Sequence, residues 1–168
     1  MTLSELNELP SDEAFSWFSQ CCVSSHWCKL MVDALPFSDL ASLLSWAQQN
    51  WQACSKLDYL EAFDGHPMIG DVASLRAKYA STKALASKEQ QGAAEADEAT
   101  LIELSEMNHK YLAKHGFIFI ICATGLSALT MLNALKARYD NDTATEISLA
   151  AAEQLKITLL RINKGLSH

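Results

Sequence analysis

The stretch Phe117-Ile118-Phe119-Ile120-Ile121-Cys122-Ala123 is the longest apolar run in the sequence. Its β-branched and aromatic residues are typical of a buried strand. No second run in the chain has this character, and a strand without a partner leaves its backbone N–H and C=O groups unpaired. We therefore predict that residues 117–123 form no part of a sheet. They form a lone extended segment between two helices, or a fully buried helical turn.

The sequence on both sides of this run has helical spacing. Apolar residues recur every three or four positions, which is typical of an amphipathic helix. Residues whose side chains can accept a first-turn N–H precede these segments. They are Pro10-Ser11-Asp12, Ser24-Ser25, Ser38-Asp39, Ser55, Asp71 and Ser127. Two more starts have the capping-box pattern, Ser87-x-x-Gln90 and Thr143-x-x-Glu146, while Gly65 and Gly116 are predicted helix ends.

The fold class predicted from these patterns is all-α. The chain has 168 residues, a length that fits one domain with a sizeable core. We expect a single-domain bundle of about eight helices over residues 1–168, with one short extended or irregular apolar segment near 117–123.

Composition excludes several classes of protein and partner. The chain has 13 Lys and Arg against 20 Asp and Glu, a net charge of −7, which argues against nucleic-acid binding. No apolar stretch is long enough for a membrane helix, and the N-terminus lacks a signal-peptide pattern. The five cysteines form no Cys-x-x-Cys pair, so we expect reduced thiols and a cytoplasmic location. His109 and His115 have poor metal spacing, and we expect no metal site.

The segment Asp64-Gly65-His66-Pro67-Met68-Ile69-Gly70-Asp71 is the strongest local candidate for chemistry. A proline after His66 biases the histidine backbone to extended geometry. The segment thus presents an imidazole at a helix junction, and imidazole suits proton transfer near neutral pH. From this local sequence alone, the alternative is a histidine with a purely structural role in a connecting loop.

Two charged residues are further candidates, each with an ordinary alternative. Arg161 lies on the last predicted helix, where it would interrupt an apolar face. A guanidinium can bind a carboxylate through two parallel hydrogen bonds, but a surface arginine near a helix C-terminus is equally consistent. Glu89 falls in the first turn after the Ser87 capping box, where a carboxylate also interacts favourably with the helix dipole.

Four ordered motifs resemble those of the OHCU decarboxylases, enzymes of uric acid breakdown. Residues 60–70 contain Glu-Ala-Phe, His-Pro and Ile-Gly, similar to the family's EAF..HP.IG signature. Residues 88–93 resemble its EQ.GA element, and residues 104–119 its N..Y..KFGF.F element. Residues 138–161 resemble the tail that runs from R..N....E to I...RL. The resemblance covers nearly the whole chain.

The resemblance implies cofactor-independent decarboxylation of 2-oxo-4-hydroxy-4-carboxy-5-ureidoimidazoline to (S)-allantoin. The substrate is a small acidic ureidoimidazoline, and neither cofactor nor metal is expected. Self-association as a two-fold homodimer is also an expectation. By matching position, the implied catalytic groups are His66 and Glu89. The implied substrate-binding residues are Pro67, Gln90, Ile121, Cys122, Ala123 and Arg161.

Some residues depart from the family pattern, and an alternative function is therefore considered. Met68 replaces a commonly charged residue, Leu126 stands where an arginine often follows glycine, and Ala86 takes the place of a serine. None of these changes removes His66 or Glu89, but part of the substrate contact set differs. The alternative is therefore a catalytically silent helical interaction protein that keeps the fold.

Overall fold

The computed structural model describes residues 1–68, 71–83 and 91–167 of the chain. These residues form nine α-helices and no strand, which confirms the all-α prediction. The helices are α1 (Leu3–Asn7), α2 (Ser11–Cys21), α3 (Ser25–Asp33), α4 (Leu40–Gln52), α5 (Lys56–Asp64), α6 (Val72–Lys83), α7 (Gln91–His115), α8 (Ala128–Tyr139) and α9 (Thr143–Gly165). Among the described helices, none is both long and apolar enough to cross a membrane.

The apolar run at residues 117–123 is neither helix nor strand, which confirms the irregular segment predicted there. Gly116 ends α7 with a positive φ of 80°, a conformation that a residue with a Cβ rarely adopts. The backbone then passes through residues 117–123 and a turn before Ser127 caps α8. The segment therefore connects α7 to α8, as its position between two helical patterns predicts.

Most of the predicted helix starts are confirmed by hydrogen bonds, but at Pro10-Ser11-Asp12 no side chain caps α2. The side chains of Ser24, Asp39, Ser55 and Ser127 each accept a backbone N–H in the first turn of α3, α4, α5 and α8, respectively. Asp71 likewise accepts the N–H of Ser74 at 2.7 Å before α6. The predicted Ser87 box lies outside the described residues.

The predicted capping box at Thr143 is wrong. The Oδ1 atom of Asp142, one residue earlier, accepts the N–H of Thr145 at 2.7 Å and caps α9. Glu146, expected to reach back to the Thr143 backbone, is fully buried and binds Arg138 instead. The Thr143 hydroxyl contacts His115 Nδ1 at 2.9 Å. Both box residues are thus engaged in tertiary contacts that a local pattern does not reveal.

The described residues divide into two compact units. The first comprises Met1–His66 and Ile147–His168, and the second comprises Pro67–Glu146. In the first unit, the Phe18 ring packs edge-on against Trp27 and Phe37. The indole N–H of Trp51 donates to the Ala151 carbonyl at 2.9 Å, which ties α4 to α9. The N-terminal helices and most of α9 therefore share one core.

The second unit contains α6, α7 and α8. Its core is formed by buried apolar and aromatic residues on α6, α7, α8 and the connecting segment. They are Leu75, Leu101, Leu104, Tyr111, Phe117, Ile120, Met131, Leu132 and Leu135. The Tyr111 ring packs against both Phe117 and Phe119, which anchors the segment that follows α7.

Candidate active site

His66 lies directly after α5 in the first unit. Gly65, the residue before it, allows the end of α5 to pack closely against a neighbouring segment. A Cβ on Gly65 would lie 2.2 Å from Cγ2 of Val23, in the connection between α2 and α3. No side chain fits at that distance, so the end of α5 can approach the connection only because residue 65 is glycine. The glycine before the histidine therefore has a packing role beyond ending the helix.

The imidazole of His66 is held by a buried amide on α9. Its Nε2 atom lies 2.5 Å from Oε1 of Gln154, whose side chain is 1% exposed. Burial lowers the pKa of His66 below its ordinary value of 6.5; the Gln154 hydrogen bond opposes this shift and the positive charge of Arg161 adds to it. The imidazole is therefore mainly neutral at pH 7 and available as a base.

Arg161 lies close enough to His66 for its positive charge to act on the imidazole. One guanidinium nitrogen, Nη1, donates to the Cys21 carbonyl at 3.2 Å, where α2 ends. The residue as a whole is exposed, and a guanidinium has four further N–H donors besides this one. A neutral base and an anchored cation thus lie together within the first unit.

The sequence analysis missed the face of α9 that supports this pair. Gln154, Thr158 and Arg161 are spaced by four and three residues, so they share one helix face. Gln154 and Thr158 are almost fully buried, whereas the apolar neighbour Ile157 is only half-buried. The available signal in the sequence was the polar pair Gln154 and Thr158, four residues apart on one helix face. Polar side chains on a buried face need hydrogen-bond partners.

The remaining predicted site residues lie outside the described residues or belong to the second unit. Glu89 and Gln90 lie outside the described residues. Pro67 is exposed and begins the second unit. Ile121, Cys122 and Ala123 belong to the second unit and are all half-buried in the irregular segment. The roles assigned to these residues stay predictions.

A second polar cluster lies inside the second unit, around the fully buried carboxylate of Glu146. The Tyr111 hydroxyl donates to Oε1 at 2.6 Å, and Arg138 Nε donates to the same atom at 2.9 Å. The Asn141 amide donates to Oε2 at 3.0 Å. Burial, with Glu146 beside it, raises the pKa of Tyr111, so the phenol stays protonated as a donor.

This cluster also holds the segment that precedes α8. Arg138 Nη1 donates to the Ile120 carbonyl at 2.7 Å, and the guanidinium stacks 4.5 Å from the centre of the Phe119 ring. The Ala123 carbonyl accepts the N–H of Leu126 at 3.0 Å in the following turn. Two carbonyls of the segment are therefore already hydrogen-bonded within the protein. This reduces the number of main-chain acceptors that the segment has for a ligand.

The first unit contains one further cluster of potential metal ligands, which the sequence analysis did not identify. Donor atoms of His26, Cys54 and Asp58 lie within 4.8 Å of one another. The carboxylate of Asp58 already accepts the N–H and hydroxyl of Ser55 at the start of α5. The positive end of a helix dipole disfavours a cation there, and burial raises the pKa of the Cys54 thiol to about 12. These contacts are those of a helix cap.

The sequence profile described as OHCU decarboxylase matches residues 7–163 of the chain. This range includes His66, Gln154 and Arg161. The chain belongs to the OHCU decarboxylase family. The family expected from the four ordered motifs is thereby confirmed.

Two curated relatives of this OHCU decarboxylase family member are named for uric acid degradation. The bifunctional protein TTL of Arabidopsis thaliana is 39% identical over 145 residues, which are 86% of this chain and 44% of that protein. A bifunctional protein of Bacillus sp. (strain TB-90) is 25% identical over 171 residues, 98% of this chain and 32% of that protein. The chain thus spans less than half the length of these relatives.

Solved structures agree with the family assignment. An OHCU decarboxylase crystallised in the presence of (S)-allantoin superposes with a TM-score of 0.71 and 37% identity, covering 92% of this chain and 99% of that one. An (S)-allantoin synthase superposes with a TM-score of 0.72 over 99% of this chain and 54% of that one. At 20% identity, the second comparison supports the fold alone.

Proposed function

We propose that this protein decarboxylates 2-oxo-4-hydroxy-4-carboxy-5-ureidoimidazoline to (S)-allantoin. The family match over residues 7–163 carries the proposal, and the pairing of His66 with Arg161 gives it a chemical basis. The OHCU decarboxylase that shares 37% identity was crystallised in the presence of (S)-allantoin, the product proposed for this chain.

The substrate itself supplies the electron sink for this reaction. Its carboxylate is carried by a carbon that also bears a hydroxyl and adjoins a ring C=N bond. When the C–CO2 bond breaks, its electron pair moves towards that C=N, and an enol-like intermediate remains. The intermediate must then receive a proton on one face only to give a single enantiomer. Proton transfer and positioning are therefore what the protein has to provide.

His66 and Arg161 have the properties that these steps require. A mainly neutral imidazole can take the substrate hydroxyl proton and return a proton to the intermediate. The exposed guanidinium, anchored at Cys21, can bind the acidic substrate through its remaining N–H groups. Glu89 is proposed to orient the imidazole or bind the ureido N–H groups, with Gln90 and Pro67 beside it. By resemblance to the family, the main chain of Ile121, Cys122 and Ala123 is proposed to bind the substrate.

The proposed setting is a homodimer in the cytoplasm. None of the five cysteines forms a disulfide, and four of them are buried, which suits a reducing compartment. Trp46 and Leu57 are exposed large apolar residues of the first unit, at 43% and 76%. Sedimentation of the intact chain tests the dimer, and Leu57→Glu should weaken it if that surface is the interface.

The decisive experiment generates the unstable substrate in place from urate, with an oxidase and a hydrolase. Circular dichroism then follows allantoin, because only an enantiomerically enriched product gives a signal. The wild type should give (S)-allantoin faster than spontaneous decay. His66→Asn and Glu89→Gln should fall towards background, by about 100-fold or more for loss of an acid–base group.

Lys164→Ala is the matched control, because this exposed lysine lies on α9 three residues after Arg161. Racemic allantoin formed by the wild type at the spontaneous rate would refute the proposed activity. The catalytically silent interaction protein would then be the better hypothesis. A normal rate for His66→Asn would refute the assigned role while leaving the activity in place.

A further inference from the structure

Gln154 holds the catalytic candidate from inside the protein. Its Oε1 atom lies 2.5 Å from Nε2 of His66, and its side chain is 1% exposed. Water therefore cannot easily substitute for this contact. The amide is not among the predicted site residues, and because it is buried beneath the ring it acts on the reaction through His66.

The neighbouring threonine fixes the direction of the Gln154 amide. The Thr158 hydroxyl donates its single hydrogen to the backbone carbonyl of Gln154 at 2.9 Å. Its oxygen can then only accept from the amide group 3.2 Å away, so that group must be the NH2 of Gln154. Cys22 is close to the same hydroxyl, but burial raises the pKa of its thiol to about 11, and a protonated thiol is a weak acceptor.

With its NH2 directed at Thr158, Gln154 presents only its carbonyl oxygen to His66. An amide oxygen has no hydrogen to donate, so His66 must carry a proton on Nε2. A neutral imidazole has one N–H, and its other nitrogen therefore bears a lone pair. We infer that Gln154 is a positioning residue that locks neutral His66 in the Nε2–H tautomer and makes Nδ1 the atom that exchanges protons with the substrate.

This inference deepens the proposed function and rests on it for the catalytic consequence. In the Nε2–H tautomer, Nδ1 accepts the substrate proton without any prior rearrangement of the ring. The imidazolium so formed keeps its Nε2–H bonded to Gln154, while Nδ1–H is the group that returns the proton. Thr158 acts on the tautomer indirectly, through Gln154, because without it the amide could rotate and direct its NH2 at the ring.

The tautomer can be measured without any turnover. A long-range ¹H–¹⁵N correlation spectrum of the uniformly ¹⁵N-labelled full chain, recorded at a pH of about 8, distinguishes protonated from unprotonated ring nitrogens. His66→Asn identifies the His66 signals by their loss. In the wild type, Nδ1 of His66 should have the shift of an unprotonated nitrogen and Nε2 that of a protonated one.

Two substitutions test whether Gln154 is the cause. Gln154→Leu removes the acceptor at similar size, and the His66 signals should shift towards a mixture of tautomers. The value of kcat should fall by about 10–100-fold, as for other partners that orient a reacting imidazole, with a much smaller change in KM. Gln154→Glu keeps an acceptor and should restore the Nε2–H tautomer with at least part of kcat. Its carboxylate should also raise the pKa of His66 and move the acid limb of the rate profile to higher pH.

Asn50→Leu is the control for the loss of a buried amide in the same unit. Asn50 lies on α4, is 8% exposed and donates to Met31 Sδ at 3.3 Å. This variant should lose stability without altering either the His66 signals or kcat. A similar fall in kcat for Asn50→Leu would mean that general loosening explains the Gln154 result, and would overturn the inference.

Two other results would overturn the inference. The first is an Nδ1–H tautomer in the wild type, and the second is an unchanged tautomer in Gln154→Leu. Failure of the proposed function has a different signature, since the wild type would then show the Nε2–H tautomer and still give no excess (S)-allantoin. An active wild type with Nδ1–H would refute the tautomer assignment alone.

Discussion

Two polar clusters among the described residues differ in how their charges are balanced. In the second unit, the carboxylate of Glu146 is fully buried and accepts hydrogen bonds from Arg138, Tyr111 and Asn141. In the first unit, a neutral amide holds His66, and the nearby charge is the cation of Arg161. One cluster pairs opposite charges, whereas the other places a cation beside a titratable base.

This difference separates a structural network from a reactive one. A buried charge pair resists change, because removal of either partner leaves an uncompensated charge. A base whose pKa is lowered by burial and a neighbouring cation is poised to take a proton from an acidic ligand. Substitutions in the first cluster should therefore change turnover or binding, and those in the second should change stability.

The largest expected effect is on stability, in the second unit. Glu146→Ala should lower the free energy of unfolding by about 3–5 kcal/mol, because it leaves the Arg138 guanidinium buried without its counter-ion. Urea denaturation followed by far-UV circular dichroism measures the change. Glu103→Ala is the control, since its pair with Lys136 is exposed and should contribute less than about 1 kcal/mol. Equal losses for the two variants would contradict the distinction between the clusters.

The next effect is on substrate binding, in the first unit. Arg161→Ala should raise KM for the ureidoimidazoline about 10–100-fold, which corresponds to the loss of a charged hydrogen bond worth about 1.5–3 kcal/mol. Arg161→Lys should recover part of this loss, because a lysine keeps the charge but not the two parallel N–H donors. Initial rates of (S)-allantoin formation against substrate concentration give the values. A change in stability with KM unaltered would assign Arg161 to structure instead.

Local sequence signals predicted most of the helix boundaries but not the contacts between helices. Ser24 and Ser55 cap α3 and α5 because a cap needs only a side-chain oxygen and N–H groups of the first turn. The same pattern was misleading at Thr143, where Asp142 takes the cap and Glu146 binds Arg138 from α8. A capping box can be overruled when its acid is the partner of a buried arginine.

The candidate site was predicted in part for a similar reason. His66 could be identified from its Gly-His-Pro setting, and Arg161 from a cation that interrupts an apolar face. Gln154 was not identified, because an amide on a helix reads as a surface residue until its burial is known. Its spacing of four and seven residues from Thr158 and Arg161 was the only signal in the sequence.

A smaller loss of stability is expected from a substitution at Gly65, where the end of α5 approaches the connection between α2 and α3. Gly65→Ala should destabilise the protein by about 1–3 kcal/mol, because its Cβ would lie 2.2 Å from Val23 Cγ2. Val23→Ala removes the opposing methyl groups and should rescue most of the loss in the double variant. Thermal unfolding of all four proteins gives the coupling energy. Additive effects of the two substitutions would show that this close approach is not what requires glycine.

The smallest expected effect is a pH dependence of stability that arises from His66 in the first unit. The folded-state pKa of His66 lies below 6.5, while that of the unfolded chain stays at about the ordinary value. As the pH falls below about 6.5, the unfolded chain therefore binds this proton first, and the folded state loses stability. Wild-type Tm should fall more steeply than that of His66→Asn between about pH 7.5 and 5.5. The same slope in both proteins would mean that the imidazole protonates as readily in the folded state, and the contrast between a poised base and a buried charge pair would fail.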